Sequence, residues 1–435
     1  SVQRAQADLR STGLTKTRVS RIHYRPFDIR FSYYTGNSRG FIGWPVDKIY
    51  RHMVAGPNLA ICVGRAGQVI DQGEWNIVLC TRHMTEFNLF RRGGNVVFPL
   101  YIYDESFLAS RTGSAQSSRS QNISDRVIRE FPFRPDTPDS ELERLFGYVY
   151  AILYSPSYRR RYVEFLKIDF PRIPLPGSSD LFRDLAHLGS DLVALHLMES
   201  PKLVDHVTTR VGSGEFQVEK VSYSDETVWI DKAKARGFRG VREDVWNFHI
   251  GGYQVCEKWL KDRRAKGGKN PRPGRVLTDE DIDHYQEIVV ALSETIRIMA
   301  EIDEVIDQHG GWPGAFVTEP TANSTGKAQT VPGSSGKAGG AVVSPEARAS
   351  VSPSPRSTAQ PPRVPSSATD TYVSPAERKA VLAALDKAGK PLVMWLVAEG
   401  SGIGQARLEE ILPVLVSEGL VKRVEAAHAV RYSRA

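Results

Sequence analysis

Residues 278–310 read TDEDIDHYQEIVVALSETIRIMAEIDEVIDQHG, and this stretch decides the helical half of the fold. Apolar side chains recur at Ile282, Tyr285, Ile288, Val289, Leu292, Ile296, Met299, Ile302 and Ile306, the three-and-four spacing of a single helical stripe. Thr278 is a helix-capping residue type, because its hydroxyl can accept a hydrogen bond from a backbone N–H of the first turn. Acids fill that first turn, where the helix dipole favours negative charge. Gly310 supplies the residue that most easily turns left-handed at a helix end. The spacing therefore predicts one long helix over 279–307, with an acidic outer face and an apolar stripe that packs on another helix or subunit.

Upstream, the same periodicity recurs. In DSELERLFGYVYAILYSPSYRRRYVEFLK (139–167), Leu142, Leu145, Phe146, Val149, Ile152 and Leu153 fall on one face, with Asp139 or Ser140 as N-cap. SSDLFRDLAHLGSDLVALHLME (178–199) repeats the pattern, and FQVEKVSYSDETVWID (216–231) reads as a hairpin. The period changes further towards the N-terminus. LAICVG (59–64), WNIVLC (75–80) and NVVFPLYIY (95–103) are β-branched and aromatic runs separated by the turn signals AGPN, RAGQ and RRGGN. The fold class is thus α+β. Residues 1–137 form a β-rich domain with a flexible loop near 106–130, and residues 138–316 a mainly helical part. Residues 317–371, rich in Pro, Ser and Ala, read as a disordered linker, and residues 372–435 as a small globular module.

The chain has 435 residues, a formal net charge of +7 and a pI near 9.2, a modest basic excess compatible with a polyanionic partner. Cys62, Cys80 and Cys256 are few and far apart, which excludes a disulfide framework and fits a reducing, cytoplasmic setting. No 18-residue apolar run exists, so no membrane partner is expected. The N-terminus lacks a signal core and an initiator Met, so the chain reads as the C-terminal part of a longer polypeptide.

Catalytic motifs do not emerge. KNPRPG (269–274) lacks the second Pro and the aromatic of an amino-methyltransferase loop, and VGRAGQ (63–68) follows a strand without a helix signal. A Walker loop is absent, and EFLK and VEK are too generic to mark a metal nuclease. The cysteines of AICVG and IVLC sit in apolar strands and read as buried and inert. His23, His52 and His83 have no ligand spacing. Neither a metal nor a small-molecule substrate or cofactor is expected in this chain.

Basic residues in turns are the remaining signal. Arg21, Arg25, Arg30, Arg39, Arg65, Arg82, Arg91 and Arg92 lie between apolar strands, where a guanidinium can be held against a base edge or a phosphate. Solvated surface charge is the competing reading for each. Arg91-Arg92-Gly93-Gly94 is the strongest single stretch, since glycines allow close backbone approach. Arg159 and Arg160 interleave with Tyr154, Tyr158 and Tyr162, a pattern that suits backbone contact or plain helix packing. In WNFHIGGYQVCEKWLKDRR (246–264), Tyr253, Cys256, Trp259 and Leu260 share a face, and Lys258, Lys261, Arg263 and Arg264 form an edge open to phosphate or water.

Two resemblances follow. The pattern SPAERKAVLAALDKAG, PLVMWLVAE, GQARLEEILPVLVSEGLVKRV and VKRVEAAHAVRYSRA (helix, short helix, helix, β-ribbon) resembles the winged helix-turn-helix family. That resemblance implies that Gln405 and Arg407 face the major groove and that Lys422, Arg423 and Arg431 face the phosphate backbone. Modules of this kind also serve protein contacts alone. The phrases YRPFDIRFSYY, GPNLAICVGR, FPLYIYDE, YVYAILYSPSYRRRYVEFLKIDFPRIPLP, VWNFHIGGYQVCEKWLKDRR and DIDHYQEIVVALSETIRIMAEID, in this order, resemble the C-terminal specificity region of type ISP restriction-modification enzymes. The resemblance spans residues 20–310. It implies a target-recognition region for double-stranded DNA, docked in cis on an adenine-specific methyltransferase, with S-adenosylmethionine, ATP and magnesium bound by parts preceding Ser1. The competing functions are a transcription-regulator-like protein acting through the winged helix, and a methyltransferase fragment with catalytic residues of unfamiliar pattern.

Overall fold

The computed structural model describes residues 2–43, 45–64, 75–104, 119–131, 139–266, 274–317, 373, 375–388, 392–393, 397, 401, 403, 405–425 and 430–434. The expected linker 317–371 lies almost wholly outside the described residues, as do Arg65, most of KNPRPG and most of the expected short second helix of the C-terminal module.

β-Branched and aromatic runs become strands because their side chains pack well on a pleat. β1 (Val19–Arg25) and β2 (Asp28–Tyr33) form an antiparallel hairpin whose turn holds Phe27 at φ +58°. β3 (Ala60–Gly64) is the centre of an antiparallel sheet, flanked by β4 (Val78–Thr81) and β6 (Asn95–Pro99). All four residues of β4 are buried, as a continuous apolar run predicts for a strand covered on both faces. β5 (Met84–Thr85) instead joins β1 in parallel. β7 (Tyr101–Tyr103) pairs with β8 (Arg119–Gln121). Residues 119–130, expected as loop, thus hold a strand and the short helix Asp125–Glu130, capped by the Ser124 hydroxyl. A helix absent from the sequence reading, α1 (Val2–Thr12), is pinned through the buried Asp8 carboxylate, which accepts from Thr35, Asn37 and the Phe41 amide.

The 139–167 stretch is not one helix. α2 (Asp139–Tyr154) stops where Ser155 caps α3 (Pro156–Arg161), with Pro156 at its first position. α2 packs along α4 (Ser179–His196). A Cβ on Gly147 would stand 2.6 Å from the Ala186 carbonyl oxygen, so glycine is what lets the two backbones close. Both helices lie against β4: the Tyr154 hydroxyl donates to the Val78 carbonyl, and the Cys80 thiol faces the Val193 carbonyl. Within 216–231 only the centre is a hairpin, β11 (Ser222–Ser224) with β12 (Thr227–Trp229), turned through Asp225 and Glu226 at positive φ. β13 (Gly237–Arg239) and β9 (Thr209–Val211) extend that sheet, whereas β10 (Phe216–Gln217) pairs away with β16 (Val276–Leu277).

α5 (Val255–Lys261) follows the small hairpin β14 (His249–Ile250) and β15 (Tyr253–Gln254), and α6 (Asp279–Gln308) is the long helix. Thr278 and Asp281 form a capping box, and Gly310 turns left-handed at φ +106° after its end. The stripe packs inside this chain. Ile282, Tyr285, Ile288, Val289, Leu292, Ile302 and Ile306 are buried, and Ile296 and Met299 are partly so. Polar contacts from α6 reach several elements. His284 meets the Phe27 carbonyl in the β1–β2 turn, Thr295 meets His196 on α4, and Asp303 accepts from Ser155 and Ser157 at the start of α3.

The C-terminal module has its own apolar core, built from α7 (Pro375–Ala388) and α8 (Gln405–Ser417) with Val381, Leu385, Val397, Leu408, Ile411, Leu412 and Leu415. Its ribbon, β18 (Val421–Glu425) and β19 (Val430–Arg434), gains a third strand. β17 (Leu392–Val393), expected within a short helix, pairs with β19 because Leu392 buries against the module core there.

Candidate nucleic-acid interface

Three of the predicted cations converge around two tyrosines. The sequence YRPFDIR places Tyr24 and Arg25 at the end of β1 and Arg30 on β2, across the Pro26–Phe27 turn. The Arg25 and Arg30 guanidinium carbons lie 3.9 and 3.8 Å from the Tyr24 ring centre, so the ring sits between two cations. Tyr253 brings the third. Lys258 Nζ lies 5.2 Å and the Arg25 guanidinium 5.4 Å from its ring. Each cation is also held by a carboxylate: Arg25 by Glu86 at 2.5 Å, Arg30 by Asp28 at 2.6 Å and Lys258 by Asp262 at 2.5 Å. Burial, together with the neighbouring charges of Arg25 and Arg30, pulls the Lys258 ammonium below its ordinary range in spite of Asp262. The carboxylates match the three cations one for one, so the cluster is charge-balanced and holds its guanidiniums and tyrosines rigidly in place.

The Arg91-Arg92-Gly93-Gly94 loop stands next to this cluster. Arg91 and Arg92 are exposed, with Arg91, Gly93 and Gly94 all at positive φ. The loop is braced by the stretch 246–264. Gly251 N–H donates to the Asn76 carbonyl, Gly252 N–H to the Phe90 carbonyl at 3.3 Å, and the Tyr253 hydroxyl to the Asn88 carbonyl. Gly251 has φ +58°, and a Cβ there would lie 2.8 Å from Phe90, so both the turn and the close approach call for glycine. The glycine pair therefore belongs to a docking hairpin, and α5 begins after it at Val255. Cys256, Trp259 and Leu260 are buried beneath, as expected of a shared helical face, but Tyr253, expected on the same face, lies on β15 before the helix and is half-buried.

Other predicted residues are placed elsewhere. Arg82 grips Glu199 through two bonds of 2.8 and 3.1 Å, linking the β4–β5 corner to the end of α4. Burial opposes its charge, but Glu199 more than offsets this and raises its pKa. Arg159 is buried, its Nε donating to the Leu153 carbonyl at 2.7 Å, so it braces the α2–α3 corner and faces no solvent. Arg160 is exposed, with Asp303 at 3.8 Å. Lys261 is exposed and paired to Glu257 on the adjacent helical turn. Arg263 turns inward, stacked on Trp259 at 3.2 Å between Asp28 and Asp281, and burial lowers its pKa to about 10. Gln405 and Arg407 lie in the first turn of α8, and their side chains are outside the described residues. Lys422 is exposed on β18, but Arg431, expected against a phosphate backbone, is paired to Glu287 of α6 at 3.3 Å. Arg65 lies outside the described residues.

The carboxylates that hold these cations were missed by the sequence reading. Glu86 is 61 positions from Arg25, and no periodicity links residues that distant. Of the three histidines without ligand spacing, His23 and His52 are buried and His83 is partly so. Burial lowers the His23 pKa to about 4; His196 of α4, also buried, bridges Tyr150 and Thr295 with a pKa near 3. Burial pushes the Cys80 and Cys256 thiols up to about 12, which makes them inert. Among the described residues no cluster of His, Cys, Asp or Glu could hold a metal, and no helix is long and apolar enough to cross a membrane.

Comparison with known proteins agrees with this architecture. Residues 1–301 match the Type ISP C-terminal specificity domain family. No curated protein is matched. Among solved structures, the chain is similar to the ATP-dependent Type ISP restriction-modification enzyme LlaBIII bound to DNA, with 19% identity and a TM-score of 0.52, over 68% of this chain and 19% of that one. It is also similar to DrdV in a DrdV–DNA complex, with 21% identity and a TM-score of 0.52, over 67% of this chain and 29% of that one. The chain thus spans less than a third of the length of either. A family match over more than two thirds of the sequence, on a fold that those structures share, makes this chain a member of the Type ISP C-terminal specificity domain family.

Proposed function

We propose that this chain is the DNA target-recognition part of a restriction-modification enzyme. It binds double-stranded DNA in the cytoplasm and positions it for adenine methylation, and for any cleavage, by domains in cis. The observation that carries the reading is the convergence of Arg25, Arg30 and Lys258 on Tyr24 and Tyr253 beside the exposed Arg91–Arg92 loop, in a chain of the specificity-domain family. Phosphate contacts from exposed arginines set affinity, and rigidly held donors read base edges. In this reading residues 1–137 carry most of the contacts and residues 138–316 hold them in place. S-adenosylmethionine, ATP and magnesium act at sites in the other domains, and this chain's residues supply none of that chemistry.

The test is selection of duplexes from a randomised pool, followed by salt titration of binding. The expected result is one enriched sequence. The double substitution Arg91→Ala/Arg92→Ala is expected to weaken binding to all duplexes alike and to flatten the salt dependence by roughly one unit of slope per lost phosphate contact. A pool that stays random would sink the reading.

A further inference from the structure

The C-terminal module and the body have separate apolar cores, and an ion pair links them: Arg431 Nη2 to Glu287 Oε1 at 3.3 Å. The strand register shows which side of the module is involved. Lys422 and Ser433 are cross-strand partners, and Arg431 lies two residues from Ser433, so the three share one face of the β18–β19 ribbon. Val421, Arg423 and Tyr432 share the other face, next to Leu392, and Val421 and Leu392 are buried in the module core. The Arg431 face therefore points away from the module's own core and towards α6.

On α6, Glu287 has a second neighbour. His284 Nδ1 is 3.9 Å from its carboxylate, while His284 Nε2 donates to the Phe27 carbonyl at 2.8 Å. Phe27 is the turn between Arg25 and Arg30. A continuous set of polar contacts thus runs from the ribbon, through Glu287 and His284, to the hairpin at the centre of the candidate interface.

We propose that Glu287 is an ionic latch for the C-terminal module: it holds Arg431 and docks the Arg431–Lys422 ribbon face on α6, and DNA phosphate competes for that face and releases it. The docking rests on the geometry above, and only the identity of the competitor rests on the DNA reading. Both partners keep some exposure, 21% for Arg431 and 15% for Glu287, so the pair exchanges with solvent ions and is weakened by salt. Phosphate offers a guanidinium the same fork of acceptors as a carboxylate.

The experiment uses the full chain carrying Arg431→Lys, which gives position 431 an amine that a carbodiimide can join to Glu287 with no added atoms. Mass spectrometry of the digest reads the 431–287 amide. The amide is expected in DNA-free protein, at a yield several-fold lower in about 0.5 M salt, where the screening length is only a few ångströms, and likewise several-fold lower with saturating duplex. Adding Glu287→Gln should abolish it. Absence of the amide in DNA-free protein overturns the docking, and a yield unchanged by bound duplex overturns the release. Duplex binding is measured in the same samples. A chain that binds no duplex therefore fails the DNA reading, and the release falls with it, while the docking is decided by the amide alone. As an independent readout, Glu287→Gln in the native chain should tighten duplex binding several-fold, and the gain should vanish when Arg431→Ala is added. A gain that persists without Arg431 contradicts the latch.

Discussion

Gly251→Ala tests whether the 246–264 stretch braces the Arg91 loop. The substituted methyl meets two obstacles. Residue 251 sits at φ +58°, where an L side chain costs about 1–2 kcal/mol. Its Cβ would also stand 2.8 Å from both the Phe90 Cβ and the Phe90 carbonyl oxygen, which are backbone-anchored and cannot swing aside. Overpacking of this kind costs roughly 1–3 kcal/mol more. The sum, about 2–5 kcal/mol, corresponds to a Tm lower by roughly 3–8 °C for a body of about 300 residues. Relief of the clash must move residues 88–92, so binding of duplex by the molecules that remain folded should weaken about tenfold, near 1.4 kcal/mol. Gly251→Asn separates the two terms. Asn tolerates the left-handed region but carries the same Cβ, so it should recover most of the backbone cost and little of the DNA affinity. Differential scanning calorimetry and fluorescence anisotropy read the two quantities. If Gly251→Ala changes Tm by under about 1 °C, or destabilises without altering affinity, the hairpin does not position the Arg91 loop.

Three further outcomes follow from the geometry. Arg82→Ala leaves Glu199 without its bidentate partner in a half-buried corner and should cost roughly 1–3 kcal/mol in urea unfolding, with duplex affinity per folded molecule unchanged; a large loss of affinity at intact stability would return Arg82 to the interface. Acid should destabilise the body. Burial holds His23 near 4 and His196 near 3, below the ordinary 6.5 of the unfolded chain, so the unfolded state takes up more protons as pH falls from 6.5. Stability, full above about pH 6.5, should then decline towards pH 4 by on the order of a few kcal/mol. His23→Phe should flatten that decline, because neither ring nitrogen of His23 has a hydrogen-bond partner to lose; an unchanged pH profile would place the acid sensitivity elsewhere. Arg159→Met should lower Tm by several degrees, since the Leu153 carbonyl loses its donor, and should leave the salt dependence of DNA binding unaltered. A flatter salt slope would instead mark Arg159 as a phosphate contact.

Much of this was legible in the sequence because it is local. The periodicity, Thr278 cap and Gly310 stop of α6 are set by neighbours within one or two turns, and the structure follows them, including the Thr278–Asp281 capping box. The burial of Cys62, Cys80 and Cys256 follows from the apolar strands and the helical stripe that carry them. Where local patterns competed, the prediction slipped. Ser155-Pro156 reads as helix by its apolar neighbours but starts a new helix by its capping chemistry. Leu392–Val393 is short enough to be claimed by a sheet edge.

The residues of the interface divide in the same way. The sequence by itself determined that Arg82, Arg91 and Arg92 would stand in turns between strands, that a glycine pair would precede a packed helix, and that the chain resembles a specificity domain, since spacing and turn chemistry suffice for each; Arg21, Arg25 and Arg30, expected in turns, lie on β1 and β2 instead. It could not separate Arg25 and Arg30 from Arg82 and Arg159, which are the same residue type in similar surroundings. Only the tertiary structure decided that Tyr24 and Tyr253 gather the first pair, while Glu199 and the Leu153 carbonyl take the second, and that Arg431 faces Glu287. The physical reason is that a guanidinium's partner is fixed by which distant segment folds against it, and chain separations such as 61, 117 and 144 residues leave no trace in local pattern.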